Sequence, residues 1–523
     1  MILENMKKKH LLLLSLIGFA AISCDDSFIE LTPKDQFSAV TFYQNESQFR
    51  QAVTAAYVPV RDLLINDFYA AEMRSDNTHY EYAPNDRGTA LVHRENIGDF
   101  TDQSTNSYTN AIYFHCYSII SKANIVIERL LTSGIPDAAK TEIDGQAKFL
   151  RAFGYFKLVR HYGEVPLYLK EIKVVDDTFV DRSPVDAVYA QIIADATDAI
   201  AKLAPPARFP QNGQATKGAA TMLLAEVYMT QKKFAEAGQL LQTLPAMGYG
   251  LNAEYADAFS VTNKNSKESI FEIQYLEGTV AGSQPSTFAY LFLPRTPSSR
   301  LITTFGSTVV STNNTATGGW NTPTQDMINA YETGDKRLDA SIGIAEGTYN
   351  ASNHLNITAS KSATGYVPEA GKVGVPYIKK YVGPHSNPNN TNNNWPVYRY
   401  SDALLLLAES LNEEGKSSEA LAPLNEVRKR AGLANVTQTA QAPLRNIIAQ
   451  ERRVELAFEN HRWHDLVRTG RAIEVMNAHG VELKKQHPYL TTDSYNVTAE
   501  KLLLPIPQSE RELNPGLTQN SGY

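Results

Sequence analysis

The sequence predicts a mostly α-helical protein in which paired helices stack on one another and support a loop-rich half with a few short strands. Three observations predict it. Apolar residues recur at three- and four-residue spacing over many long stretches, the period of a half-buried helix. One helix-turn-helix stretch recurs later in the chain. Irregular stretches rich in Gly, Asn, Pro and Thr separate the helical ones, and loops beyond about 12–15 residues are commonly functional.

The N-terminus is the first element. Lys7, Lys8 and Lys9 precede an apolar run from Leu11 to Ile22. The run is shorter than the roughly 20 residues that span a bilayer, and with its basic flank it has the form of an export signal. Ala21-Ile22-Ser23-Cys24 ends it with small residues around the bond to a cysteine. That is the form of a lipobox. Residues 1–23, read from Met1 or from Met6, are expected to be a lipoprotein signal peptide, and Cys24 to be acylated. Two acyl chains anchor a protein stably, at ~0.8 kcal/mol per buried CH2. Cys116, the other cysteine, lies in an apolar helical stretch and is expected to be an inert core thiol, so no disulfide framework is available. The net charge of −7 argues against nucleic-acid binding, which needs a basic surface.

Helices are predicted at 46–64, 105–131, 137–161, 184–203, 217–231, 233–244, 324–331, 401–414, 417–431, 443–459 and 463–469. Ser183 before Pro184 predicts an N-cap next to a proline at the first helical position. A strand is predicted at 269–274, where Ile270, Glu272 and Gln274 alternate with Phe271 and Ile273. Ala220-Thr-Met-Leu-Leu-Ala-Glu226 is repeated as Ala403-Leu-Leu-Leu-Leu-Ala-Glu409, and at the same offset Glu236-Ala237 matches Glu419-Ala420 and Leu241 matches Leu424. Leu224, Ala225, Tyr228, Ala237 and Leu241 have tetratricopeptide-like spacing. Neither hairpin can bury its apolar face alone, so each must stack on neighbours. Residues 46–64 with 105–131, and 137–161 with 184–203, supply two further pairs. The irregular stretches are 74–103, 277–320, 346–374 and 383–395. Phe149, Phe153, Phe156 and Val159 share one helix face and should point to a core. Arg151, Arg160, Arg452 and Arg453 are expected to pair with Glu455, Glu459 or Asp465.

Several segments together resemble the SusD/RagB family of outer-membrane nutrient-binding lipoproteins over essentially the whole mature chain. They are AKFLRAFGYFKLVRHYGEVPL at 147–167, TKGAA at 216–220, YETGDKR at 331–337, WPVYRYSDALLLLAE at 395–409, ERRVELAFENHRWHDL at 451–466, and LPIP and QNSGY at 504–507 and 519–523. The resemblance implies a SusD-like fold of four tetratricopeptide-like helix pairs supporting a loop-rich ligand-binding half. The N-terminal region would run over 24–245, interrupted by a loop at 72–103. The C-terminal region would run over 246–523, loop-rich at 277–395 and helical at 399–470. It further implies exposure at the cell exterior, no cofactor, and a SusC-like TonB-dependent outer-membrane transporter as partner.

The resemblance places a ligand site in the loops 72–82 and 284–320. Sugars need hydrogen-bonding side chains for their hydroxyls and aromatic faces for their apolar side. Arg74, Asp76, Asn77, Tyr80 and Tyr82 offer both in the first loop, and Tyr290 and Trp320 add rings from the second. Gly318-Gly319 before Trp320 predicts a flexible turn that exposes the indole. The expected ligand is an oligo- or polysaccharide, and the alternative is a peptide. An enzyme is not expected. His-Glu-x-x-His, Gly-x-Ser-x-Gly and phosphate-cradling glycine loops are absent from the sequence, and His461 with His464 lacks the further ligand a metal needs.

Overall fold

A computed structural model describes residues 42–303 and 318–523. The expected signal peptide, the acylation at Cys24 and part of the 277–320 stretch lie outside the described residues. In the N-terminal half the helices are α1 (Glu46–Ala71), α2 (Thr89–Gly98), α3 (Ser107–Leu131), α4 (Asp137–Tyr162), α5 (Val185–Lys202), α6 (Lys217–Thr230) and α7 (Phe234–Leu241). The longer C-terminal ones are α8 (Tyr400–Glu413), α9 (Ser417–Arg430), α10 (Gln441–Glu455), α11 (Arg462–Arg468) and α12 (Ala472–Gln486).

The helices stack nearly in chain order. α1 packs on α3, α3 on α4, α4 on α5, α5 on α6, α6 on α7, α7 on α8, and α8 on α9 and α10. Both predicted extra pairs are therefore present, α1 with α3 and α4 with α5. The two repeat copies, α6–α7 and α8–α9, meet through α7 and α8. Gly238 permits that crossing, since a Cβ there would lie 2.5 Å from the Ser410 hydroxyl, which donates to the Phe234 carbonyl at 2.8 Å. The matched residues Ala237, Leu241, Ala420 and Leu424 are all buried. One apolar core runs from Phe49 to Ile506 and includes Phe149, Phe153, Phe156 and Val159. A smaller one gathers Phe100, Trp463, Leu466, Met476 and Tyr495. Cys116 is a buried free thiol, and burial pushes its pKa up, which keeps it unreactive.

The strands are short and antiparallel. β1 (Thr78–His79) pairs with β5 (Thr322–Pro323), β2 (Val165–Pro166) with β3 (Arg182–Ser183), and β4 (Ser269–Ile273) with β9 (Trp395–Arg399). β6 (Ile342–Tyr349) lies between β7 (Leu355–Ser362) and β8 (Val373–Ile378).

Several expectations need correction. The 346–374 stretch contains β7 and the ends of β6 and β8, and 74–103 contains α2. β7 buries fully only Leu355, and α2 buries only Leu91 and Ile97 of its large apolar residues, so neither carries a strong periodic signal. α12 was likewise not anticipated. β4 does not alternate, because Ile270 to Ile273 are buried on both faces. Pro184 itself caps α5 without a side-chain hydrogen bond, since Ser183 is held in the ladder opposite Val165. Arg452 does pair with Asp465, and also with Asp402. Arg151 instead meets Asp195, Arg160 meets Glu226, and Arg453 meets Asp76 and Asp326. The arginines of α4 face α5 and α6, so they find the acids of those helices.

The loop-rich half is joined to the stack by a buried ionic core. Arg399 of β9 reaches Glu268 at 2.8 Å, Glu455 at 3.0 Å and Glu459 at 2.7 Å. Arg337 reaches Asp335, Glu451 and Glu455 at 2.7, 2.6 and 3.1 Å. Arg430 of α9 meets Glu268 at 2.7 Å and also Glu455.

Candidate functional site

The chain leaving α1 turns inward before it reaches the surface, and this decides the fate of the predicted ligand residues. Arg74 is sealed: it donates to the Ile97 carbonyl at 2.8 Å, to Asp102 at 3.0 Å and to the Lys501 carbonyl at 2.7 Å, and lies 4.2 Å from the Phe100 ring centre. Asp76 accepts two bonds from Arg462, at 2.7 and 2.8 Å. Burial opposes its charge, but Arg462 and Arg453 hold its pKa below the ordinary range. Asn77 donates to Glu72 at 2.8 Å and accepts from Arg453 at 2.9 Å. Tyr290 is buried with its hydroxyl 2.8 Å from His385 Nε2. The expectation that these four present their polar groups to a ligand is therefore corrected: each is held by hydrogen bonds inside the protein.

Tyr80 and Trp320 are also buried, and they form the floor of a different feature. The Tyr80 hydroxyl donates to Asp99 at 2.9 Å. Trp320 stands edge-on to Tyr69, with ring centres 5.7 Å apart. The glycine pair before it is not a flexible turn. Gly319 N–H donates to the Leu293 carbonyl at 2.6 Å and Trp320 N–H to the Leu291 carbonyl at 3.2 Å. A Cβ on Gly318 would lie 2.2 Å from the Leu293 oxygen. Glycine is needed there for close approach, and the approach buries the indole.

Above this floor lies a half-buried aromatic pair. Tyr82 stacks on Tyr489 with centres 4.0 Å apart and planes 7° from parallel. Arg87 lies 4.6 Å from the Tyr82 centre and is steadied by Glu95 of α2 at 2.7 Å. His487 adds a ring 5.3 Å from Tyr489. Below, His79 Nε2 is 2.9 Å from the Tyr489 hydroxyl and Nδ1 is 3.0 Å from that of Tyr495. Burial, then His487, lowers the His79 pKa well below its usual value, so this imidazole is neutral and locks β1 to the 489–495 segment. Tyr349, at the end of β6, is 45% exposed. Burial and the Glu81 carboxylate push its phenol up to about 12. Glu81 and Asp99 are themselves pushed up to about 7, chiefly by burial.

Of the seven sequence candidates, the structure thus brings Tyr80, Tyr82 and Trp320 into one aromatic cluster. It adds Arg87, Arg94, His487 and Tyr489, which sequence reading missed. Tyr489 and His487 come from the far end of the chain, from a stretch without periodicity, and no local signal points to them. The two arginines sit in and beside α2, the helix read as loop. Half-buried rings with guanidinium and carboxylate groups beside them can offer apolar ring surface to a sugar and bond its hydroxyls. Among the described residues, no group of three or more His, Cys, Asp or Glu side chains could hold a metal ion.

Comparison with known proteins matches residues 226–523 to a family described as the SusD family, and residues 28–229 to one described as starch-binding associating with outer membrane. A SusD-like protein of Formosa agariphila is 26% identical, covering 99% of this chain and 100% of its own length. The starch-binding protein SusD of Bacteroides thetaiotaomicron is 23% identical over 79% of this chain and 78% of its own. Among solved structures, a laminarin-binding SusD-like protein superposes with a TM-score of 0.72 at 25% identity, covering 92% of this chain and 100% of that one.

Proposed function

This chain belongs to the SusD family, and from that premise we propose that it captures an oligo- or polysaccharide at the outer membrane without altering it. The ligand lies against Tyr82, Tyr489 and His487, with Arg87 beside them and Tyr80 and Trp320 beneath. A lipid on Cys24 holds the protein to the membrane, facing the exterior, and the glycan passes to a SusC-like TonB-dependent transporter. The observation that carries the capture reading is the half-buried cluster of Tyr82, Tyr489, His487 and Arg87, rings and a guanidinium brought together from two distant segments. The relatives support it: one is described as laminarin-binding and another as starch-binding.

The test is affinity electrophoresis of the purified protein through gels cast with laminarin, starch, polygalacturonate or dextran sulfate, with reducing ends assayed in parallel. Retardation in at least one polymer without release of reducing ends is expected. Free migration in all of them, or turnover of any, would overturn the proposal.

A further inference from the structure

Among the described residues, the arginines beside the platform differ in what holds them. Arg87 has Glu95, Arg295 has Asp86, and Arg74 has Asp102. Arg94 of α2 has neither a carboxylate nor any hydrogen-bond acceptor among the described residues, and its Nε is buried without a partner. Rings hold it instead. Its guanidinium carbon lies 4.8 Å from the Trp320 ring centre, 4.8 Å from that of Tyr108 and 5.8 Å from that of Tyr69.

We infer that the captured glycan carries an anionic group, a carboxylate or a sulfate ester, and that Arg94 is the residue that recognises it. Guanidinium is always charged and presents planar donors that match two oxygens of such a group. Aromatic faces attract the cation without occupying its N–H edge. The side chain is therefore fixed in place while its hydrogen-bonding capacity stays unspent, the arrangement that lowers the ordering cost of binding. The nearby acids do not compete. Glu95 is committed to Arg87, Asp86 to Arg295, and Asp99 accepts the Tyr80 hydroxyl. Arg94 is also continuous with the platform: Trp320 lies 6.5 Å from Tyr80, Tyr80 5.9 Å from Tyr489, and Tyr489 4.0 Å from Tyr82. An oligosaccharide held at the tyrosines and extending toward α2 brings the charged substituent of a further residue to the arginine.

This inference rests on the capture reading and deepens it, so the experiment separates the two. Titration calorimetry on the purified full-length protein uses two matched pairs, polygalacturonate against its methyl ester and dextran sulfate against dextran, with laminarin as a neutral reference. One charged polymer is expected to bind at least tenfold more tightly than its neutral counterpart, and which one binds distinguishes carboxylate from sulfate. Arg94→Gln is expected to weaken that binding about tenfold, the loss of about 1.4 kcal/mol, and to remove its salt dependence. Arg94→Lys should retain the salt dependence as a point charge. Thermal midpoints report whether either variant is folded. If neutral glucans bind as well as charged ones, or Arg94→Gln and Arg94→Lys both bind the charged probe as the parent does, the anionic assignment is wrong. If laminarin or dextran binds and only Tyr489→Ala abolishes it, capture stands and the anionic assignment falls. If no polymer binds, both fall.

Discussion

Two regions of this protein collect arginines and carboxylates and use them in opposite ways. In the ionic core between β9, α9 and α10, Arg337, Arg399 and Arg430 share the carboxylates of Glu268, Glu451 and Glu455, and every member is buried. Around Trp320, rings hold Arg94, and no acceptor among the described residues takes its donors. A charge matched by charge is spent on joining distant segments. A charge held by aromatic faces remains available to a partner from outside. The carboxylates show the same contrast. Burial opposes the charge on Glu455, but Arg430, Arg399 and Arg337 hold its pKa well below the ordinary range. At Asp99 the Tyr80 hydroxyl, Arg87 and Lys484 compensate only in part, and burial pushes it up to about 7.

The strongest way to break this contrast is Arg399→Met. It leaves Glu268, Glu455 and Glu459 buried with less compensation, and removing one partner of a buried ion pair typically costs about 3–5 kcal/mol. A large fall in the urea midpoint is expected, together with lost glycan binding through unfolding. A loss under about 1 kcal/mol would mean that the core is not what joins the two halves. Tyr489→Ala is the counterpart at the platform. It removes a stacked ring worth about 0.5–1.5 kcal/mol beyond its area. Glycan affinity is expected to fall about tenfold while the protein stays folded.

The contrast also has a pH signature. Asp99, raised to about 7, stays protonated in the native state between pH about 4 and 7, where the unfolded carboxyl, with a pKa of about 3.9, has lost its proton. The native state then binds more protons, so stability falls as pH rises across that window. Asp99→Asn is neutral throughout and can still accept the Tyr80 hydroxyl. It is expected to gain about 4 kcal/mol at pH 8 relative to the parent and nothing below about pH 4. Glu455 acts the other way: its pKa is depressed, so its stabilisation is present above about pH 4.3 and disappears as pH falls below that. Unfolding midpoints of parent and variant measured from about pH 2 to 8 would show the two slopes, and an Asp99→Asn gain that does not vary with pH would contradict the assignment.

The same two regions show what a sequence can and cannot reveal. The stack was legible because its signals are local: Leu224 and Ala225 recur as Leu407 and Ala408, and a three- and four-residue period needs no knowledge of the partner helix. Chemistry in the loop after α1 was legible only as residue types. Arg74, Asp76 and Asn77 are the kinds of side chain that bind sugars, but Asp102, Arg462 and Arg453 reach them first. Whether a polar side chain is spent depends on which segments fold against it. For the same reason Tyr489, the ring that completes the platform, could not be chosen from among 27 tyrosines.

Tyr290→Phe is the smallest perturbation and bears on that last point. Tyr290 was a sequence candidate for ligand stacking, yet its hydroxyl lies 2.8 Å from His385 Nε2 in a buried setting, and His385 Nδ1 lies 2.8 Å from the Gly383 carbonyl. Removing the hydroxyl leaves the imidazole one partner short while the ring packing is kept. A cost of about 1 kcal/mol in stability follows, with glycan affinity unchanged within twofold. A binding loss comparable to that of Tyr489→Ala would place ligand against Tyr290 and erase the distinction between spent and open side chains. Unchanged binding with a small loss in midpoint would show that a tyrosine of the right kind, in the right loop, had been claimed by the fold.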